Sequence, residues 1–193
     1  MRFHLGLMAA AVMALGISGA AAQGADPKFV VTGPAAKAMG EANQINGATA
    51  KAVAMACERM AAEKNQGAAI IILDNFGNVL HQHRMDMAAR RTSIATAEMK
   101  ARTALTTRRP TSQRQYNVER DPNLMGREFS MGYFPTGGGL PLWSRDQIFG
   151  FIGVGGMNPT AEWSDEICAH RALTEVLGTQ PPLTPRPAAR PAQ

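Results

Sequence analysis

The chain has 193 residues, 45% of them hydrophobic, and carries 20 Lys+Arg against 15 Asp+Glu for a net charge of +5. A bias this small reads as an ordinary solvated surface around one domain of common size. Aromatic residues make up only 6% of the chain and no basic stripe interleaves with them, which argues against a nucleic-acid partner.

The N-terminus reads as an export signal: one positive charge at Arg2, an apolar run from Leu5 to about Ile17, then Ala20-Ala21-Ala22 before a cut at Gln23. This assigns residues 1–22 to a signal peptide and 23–46 to a linker, with a short helix in its alanine-rich part. The apolar run is shorter than the ~20 residues that span a bilayer, and no later segment is longer, so no stable membrane span is expected. The mature protein is expected to be periplasmic or secreted.

Asn46 is a good N-cap, and Gly47 to Lys64 follows with Ala52, Met55, Ala56, Arg59 and Met60 at helical spacing, stopped by Asn65-Gln66-Gly67. Ala68 to Leu73 is a buried-type strand, Asp74 to Asn78 a turn, and Val79 to Met85 a second strand, which together make a hairpin. Thr92 or Ser93 caps a helix that reaches Arg108, where Pro110 breaks it. A short helix starts at Thr111 or Ser112 and runs to Val118; the stretch from Glu119 to Gly126 is polar and irregular. Phe129 to Phe134 reads as a third strand. Leu140 to Trp143 and Ile148 to Val154 read as two strands around the turn Ser144-Arg145-Asp146-Gln147. Thr160 to Leu177 is the last helix, ended by Gly178. From residue 178 to 193 five prolines and little apolar content predict a disordered or extended tail. Strands in hairpin-spaced pairs fit a parallel βαβ design poorly. They predict an α+β domain over 47–177, with a central antiparallel sheet of about five strands.

Cys57 and Cys168 both fall in helical segments without CxxC spacing. An oxidising compartment permits a disulfide between them. Two small buried hydrophobes is the reading favoured here, because nothing in the sequence brings the pair together.

The stretch His81 to Ala88, HQHRMDMA, is the most unusual. On a strand His81, His83 and Met85 share a face, and two imidazoles with a thioether suit iron or copper. A solvated edge strand carrying polar residues accounts for them equally simply. Lys100, Arg108 and Arg109 crowd the next helix and its end; cations there complement the helix dipole, and arginines also grip carboxylates in pairs. Thr111 either caps a turn or offers its hydroxyl to a ligand. His170 reads as a surface residue. Gly137 to Gly139 and the glycines Gly150, Gly153, Gly155 and Gly156 lack the order of a dinucleotide fingerprint and either form anion nests or permit close packing.

Five features together resemble the GlcG/HbpS-like family of haem-degrading or extracellular haem-binding domains, named after a glycolate-operon protein. They are AIIILDNFGNVL, the corner Arg84-Met85-Asp86, KARTALTTRRPT, GGGLPLW, and IFGFIGVGG followed by a helix bearing Asp165-Glu166. They span about Gly47 to Leu177 in the family's order. The resemblance implies helices on both faces of an antiparallel sheet, homo-oligomers, and haem as the ligand of some members. Matching positions are Arg84, Met85, Asp86, Lys100, Thr111, Gly138, Pro141, Gly153, Asp165 and Glu166. Two positions depart from the pattern: Met87 stands where a glycine is common, and Gly155 where a serine is common. The implied function is an exported haem-binding or haem-handling protein. His81, His83 or Thr111 would lie near iron and Arg108 or Arg109 near the propionates. The alternative is a small organic acid enzyme or accessory binding protein with Lys100 and Arg84 as anion grips.

Overall fold

The structure, a computed structural model, describes residue 34 and residues 44–144 and 146–185. The chain divides into two units, Met1–Glu41 and Ala42–Gln193, and all the described residues but one belong to the second. The signal peptide, most of the linker, Arg145 and the end of the tail lie outside the described residues.

Among the described residues, five helices and four strands follow in the order α1 (Gly47–Glu63), β1 (Ala69–Leu73), β2 (Val79–Arg84), α2 (Ser93–Thr107), α3 (Ser112–Arg120), α4 (Leu124–Ser130), β3 (Gly139–Ser144), β4 (Gln147–Gly155) and α5 (Asp165–Leu177). The strands make one antiparallel sheet in the order β2-β1-β4-β3. Helix α1 starts as its sequence dictates: the Asn46 side chain accepts a hydrogen bond from Thr49 N. Ser164 caps α5 likewise by accepting from Ile167 N, so that helix begins at Asp165 rather than Thr160.

Central strand β1 is buried along its whole length, and its alternation splits the core in two. Ile70 and Ile72, with Leu140, Leu142, Ile152 and Val154, meet α1 and α5. Ala69, Ile71, Leu73 and Phe151 meet α2 on the opposite face. Helices therefore cover both faces, as expected. The seam with α2 is unusually close: a Cβ added at Gly153 would lie 1.9 Å from Ala97 O, and one at Gly155 would lie 2.7 Å from Thr96 Oγ1. These glycines serve packing. Position 155 faces α2, so a hydroxyl there would meet the helix.

Two sequence expectations are corrected. The sheet has four strands, not five: the Phe129–Phe134 stretch is the end of α4 and a turn through Gly132, with Tyr133 N bonded to Glu128 O. Its period-2 pattern is not a buried face, since Phe129 and Met131 are exposed; the buried residue is Glu128, paired with Arg114. Cys57 and Cys168 form a disulfide, bolting α1 to α5 with their Cα atoms 5.3 Å apart. Residues 178–185 are extended and packed. Gln180 is buried, its side chain accepting from Trp143 N and donating to Trp143 O along the outer edge of β3, and Leu183 packs on the core. A glutamine thus occupies an edge that would otherwise be open to strand addition.

Candidate functional site

The residues singled out in sequence fall in four separate places. His81 and His83 lie on β2, one edge of the sheet, opposite Ile72 and Ile70. His83 Nδ1 is 2.7 Å from Glu58 Oε1 on α1. His81 Nε2 is buried without a partner among the described residues. Burial pushes this imidazole's pKa below its ordinary value, against the pull of Glu58 and with help from His83 and Lys51. Met85 does share their side of the sheet, but its sulfur accepts from Ala68 N and packs on the core. No group of three or more His, Cys, Asp or Glu among the described residues could hold a metal ion. The trio is therefore not assembled as a ligand set. Arg84 donates to Ala88 O, tying down the corner.

Thr111 is fully buried. Its hydroxyl donates to Thr136 O at 2.7 Å and accepts from Gly139 N at 2.9 Å, while its own N–H donates to Gly139 O. Donating one hydrogen bond and accepting another, this buried hydroxyl anchors the start of β3. Lys100 is likewise no surface grip. It is 3% exposed, and its Nζ donates to Val154 O and, at 2.7 Å, to Asp165 Oδ2, while Asp165 Oδ1 accepts from Met157 N. The pair connects α2 to the first turn of α5 around the end of β4. Next to it, burial pushes the Glu166 carboxyl's pKa above its ordinary value, against the opposing effects of Ser112 and Lys100.

Arg108 and Arg109 lie at the C-terminal end of α2. The backbone turns left-handed at Arg108 (φ 54°), ending α2, and both arginines stay exposed. They line a groove of about 330 Å³ at the β3 edge of the sheet. Leu140, Pro141 and Trp143 of β3, Leu173 of α5, and the tail segment from Gln180 to Thr184 form its mostly apolar walls. The groove also holds His170 of α5, a residue the sequence gave no reason to choose. Its Nε2 lies 2.9 Å from the Pro181 carbonyl oxygen. A carbonyl only accepts, so Nε2 carries the proton and Nδ1 is left as the basic nitrogen. His81 and His83 sit on the opposite edge strand, so within one chain they are not in the same place as Arg108 and Arg109. No helix among the described residues is long and apolar enough to cross a membrane.

The sequence model of one family, described as "Haem degrading protein HbpS-like", matches residues 45–174. The chain belongs to this HbpS-like family. Solved structures agree. The Klebsiella pneumoniae protein ORFY is 28% identical with a TM-score of 0.61, over 72% of this chain and 94% of its own. HbpS is 28% identical with a TM-score of 0.60, over 78% of this chain and 99% of its own. A third, titled as a complex of PduOC with heme, is 24% identical with a TM-score of 0.59, over 68% of this chain and 94% of its own, and shows a shared fold. No curated protein sequence matches.

Proposed function

We propose that this protein is an exported haem-binding protein, and that haem sits in the groove between the end of α2, β3, α5 and the tail. The observation that carries the reading is the convergence of three groups in one apolar groove: His170, Arg108 and Arg109. Haem is a flat apolar ring with two carboxylates and an iron. Leu140, Pro141, Trp143 and Leu173 offer the apolar wall, and the two guanidinium groups suit the propionates. An imidazole with one nitrogen held by a backbone carbonyl is the usual second-shell arrangement of a metal-ligating histidine, so His170 replaces His81, His83 and Thr111 as the residue proposed for iron. The bound group would supply the iron's redox chemistry; the chain's own residues bind and orient it, and the proposal stops at binding. A separate iron or copper site on His81, His83 and Met85 is left out of it.

Membership of a family described as haem-degrading supports the ligand. The disulfide supports export, since such bonds persist in oxidising compartments.

The test is hemin titration of the protein followed by visible absorption, with and without Arg108→Ala and Arg109→Ala together. A half-exposed ion pair contributes about 1 kcal/mol, so losing both arginines should weaken binding roughly 30-fold. No saturable absorption change in the wild type, or equal affinity in the double variant, refutes this placement.

A further inference from the structure

A second cleft, of about 610 Å³, opens at the N-terminal end of α5 and shares only the tail residues Leu183 and Thr184 with the proposed haem groove. The Lys100–Asp165 pair and Glu166 line it from within, and Arg90 is at its exposed rim. Glu166 is only 7% exposed, and its Oε1 is without a hydrogen-bond partner among the described residues. A buried carboxyl oxygen left unpaired is destabilising unless something else satisfies it. Lys100 Nζ, nearby, has three donors and uses two, on Val154 O and Asp165 Oδ2.

We propose that this cleft is a binding site for the carboxylate group of a small organic acid, held between Glu166 Oε1 and Lys100 Nζ.

The charge balance selects an anion. Lys100 and Asp165 cancel, and the remaining charged or titratable groups lining the cleft are Arg90, Tyr116 and Glu166. With Glu166 protonated the cleft carries the net positive charge of Arg90. The carboxyl can then donate its hydrogen to one ligand oxygen while Lys100 donates to the ligand. With Glu166 ionised, two carboxylates would oppose each other in a confined space. Burial raises the Glu166 pKa above its ordinary value, the direction that favours this donor. An amine ligand is disfavoured by Lys100 and Arg90. The grip differs from the sequence expectation, which paired Lys100 with Arg84; Arg84 does not line this cleft and donates to Ala88 O at the corner after β2.

The test uses the haem-free protein and two probes, acetate and glycolate, with methylammonium as control. Calorimetry should show one saturable site per chain for a carboxylate and none for methylammonium. Affinity should fall about tenfold per pH unit once pH exceeds the Glu166 pKa. Glu166→Gln, which keeps a neutral donor in the same place, should retain binding within about threefold and lose the pH dependence; Glu166→Ala should weaken binding about tenfold or more. Far-ultraviolet circular dichroism establishes that each variant is folded. No saturable carboxylate binding, or a Glu166→Gln protein with an unchanged pH dependence, overturns the proposal. Neither result bears on the haem groove, whose residues are left intact.

Discussion

Opening the Cys57–Cys168 bond should be the single most destabilising covalent change available to this fold. The bond closes a loop between residues 111 apart in sequence. For a loop of this length the chain-entropy relation gives about 16 cal/mol/K, or about 4.8 kcal/mol at 25 °C. That figure is an upper bound, because a reduced unfolded chain keeps some compactness. The comparison should be oxidised against fully reduced wild type rather than a Cys→Ala variant. Reduction leaves both sulfurs in place, whereas alanine would add cavities at two side chains that are fully buried. Urea unfolding followed by circular dichroism should show a lower midpoint after reduction, with a steeper slope, since an uncrosslinked chain exposes more surface. A loss of about 3–5 kcal/mol is expected, and thiol counting in denaturant should find no free thiol before reduction and two after. Two free thiols in the untreated protein, or coincident unfolding curves, would refute the reasoning.

Other expectations rest on single contacts. Gly153→Ala should cost at least about 3 kcal/mol by thermal or urea unfolding, because the new Cβ would lie 1.9 Å from Ala97 O and force α2 off the sheet. Gly126→Ala, at an open helical position, should instead stabilise by up to about 1 kcal/mol. Asp165→Asn leaves the Lys100 ammonium buried and unpaired, and should cost about 3 kcal/mol at neutral pH by urea unfolding. At Asp74, burial disfavours the charge, but hydrogen bonds from Asn78, Phe76 and Gly77 outweigh it and hold the pKa below its ordinary value. Its contribution is thus present above the ordinary carboxylate pKa and lost as pH falls through the lower folded value. Asp74→Asn should be about 1–2 kcal/mol less stable than wild type at pH 7, with the gap closing in acid; a gap that is constant with pH would contradict this.

Local structure was largely legible because local rules govern it. The Asn46 cap, the two hairpins and the end of α2 before Pro110 all follow from residues within a few positions of one another. Phe129 to Phe134 misled for the same reason: apolar residues at 129, 131 and 133 mimic a strand, and only the missing neighbour strand and the Arg114–Glu128 pair show otherwise. The features that escaped are long-range. Cys57 meets Cys168 across 111 residues, and Lys100 meets Asp165 across 65. Lys100 and Thr111 could be picked out in sequence, but not the buried partners that hold them, Asp165 and Val154 O for the one and Thr136 O and Gly139 N for the other. Arg108 and Arg109 were visible as a cationic helix end. Their companion, His170, was not, because it joins them only when α5 packs against β3. Its one sequence signal was the three-residue spacing to buried Leu173, which puts both towards the same side of α5.

The most direct test of the account is the ferric absorption spectrum of the hemin complex in wild type, His170→Ala and His81→Ala/His83→Ala, recorded with and without added imidazole. The account predicts one saturable Soret transition per chain in wild type. It predicts the same spectrum in the His81/His83 variant, and a shifted, weaker-binding spectrum in His170→Ala that free imidazole restores. An unaltered spectrum in His170→Ala, or its loss in the His81/His83 variant, would contradict the placement of haem in the β3 groove.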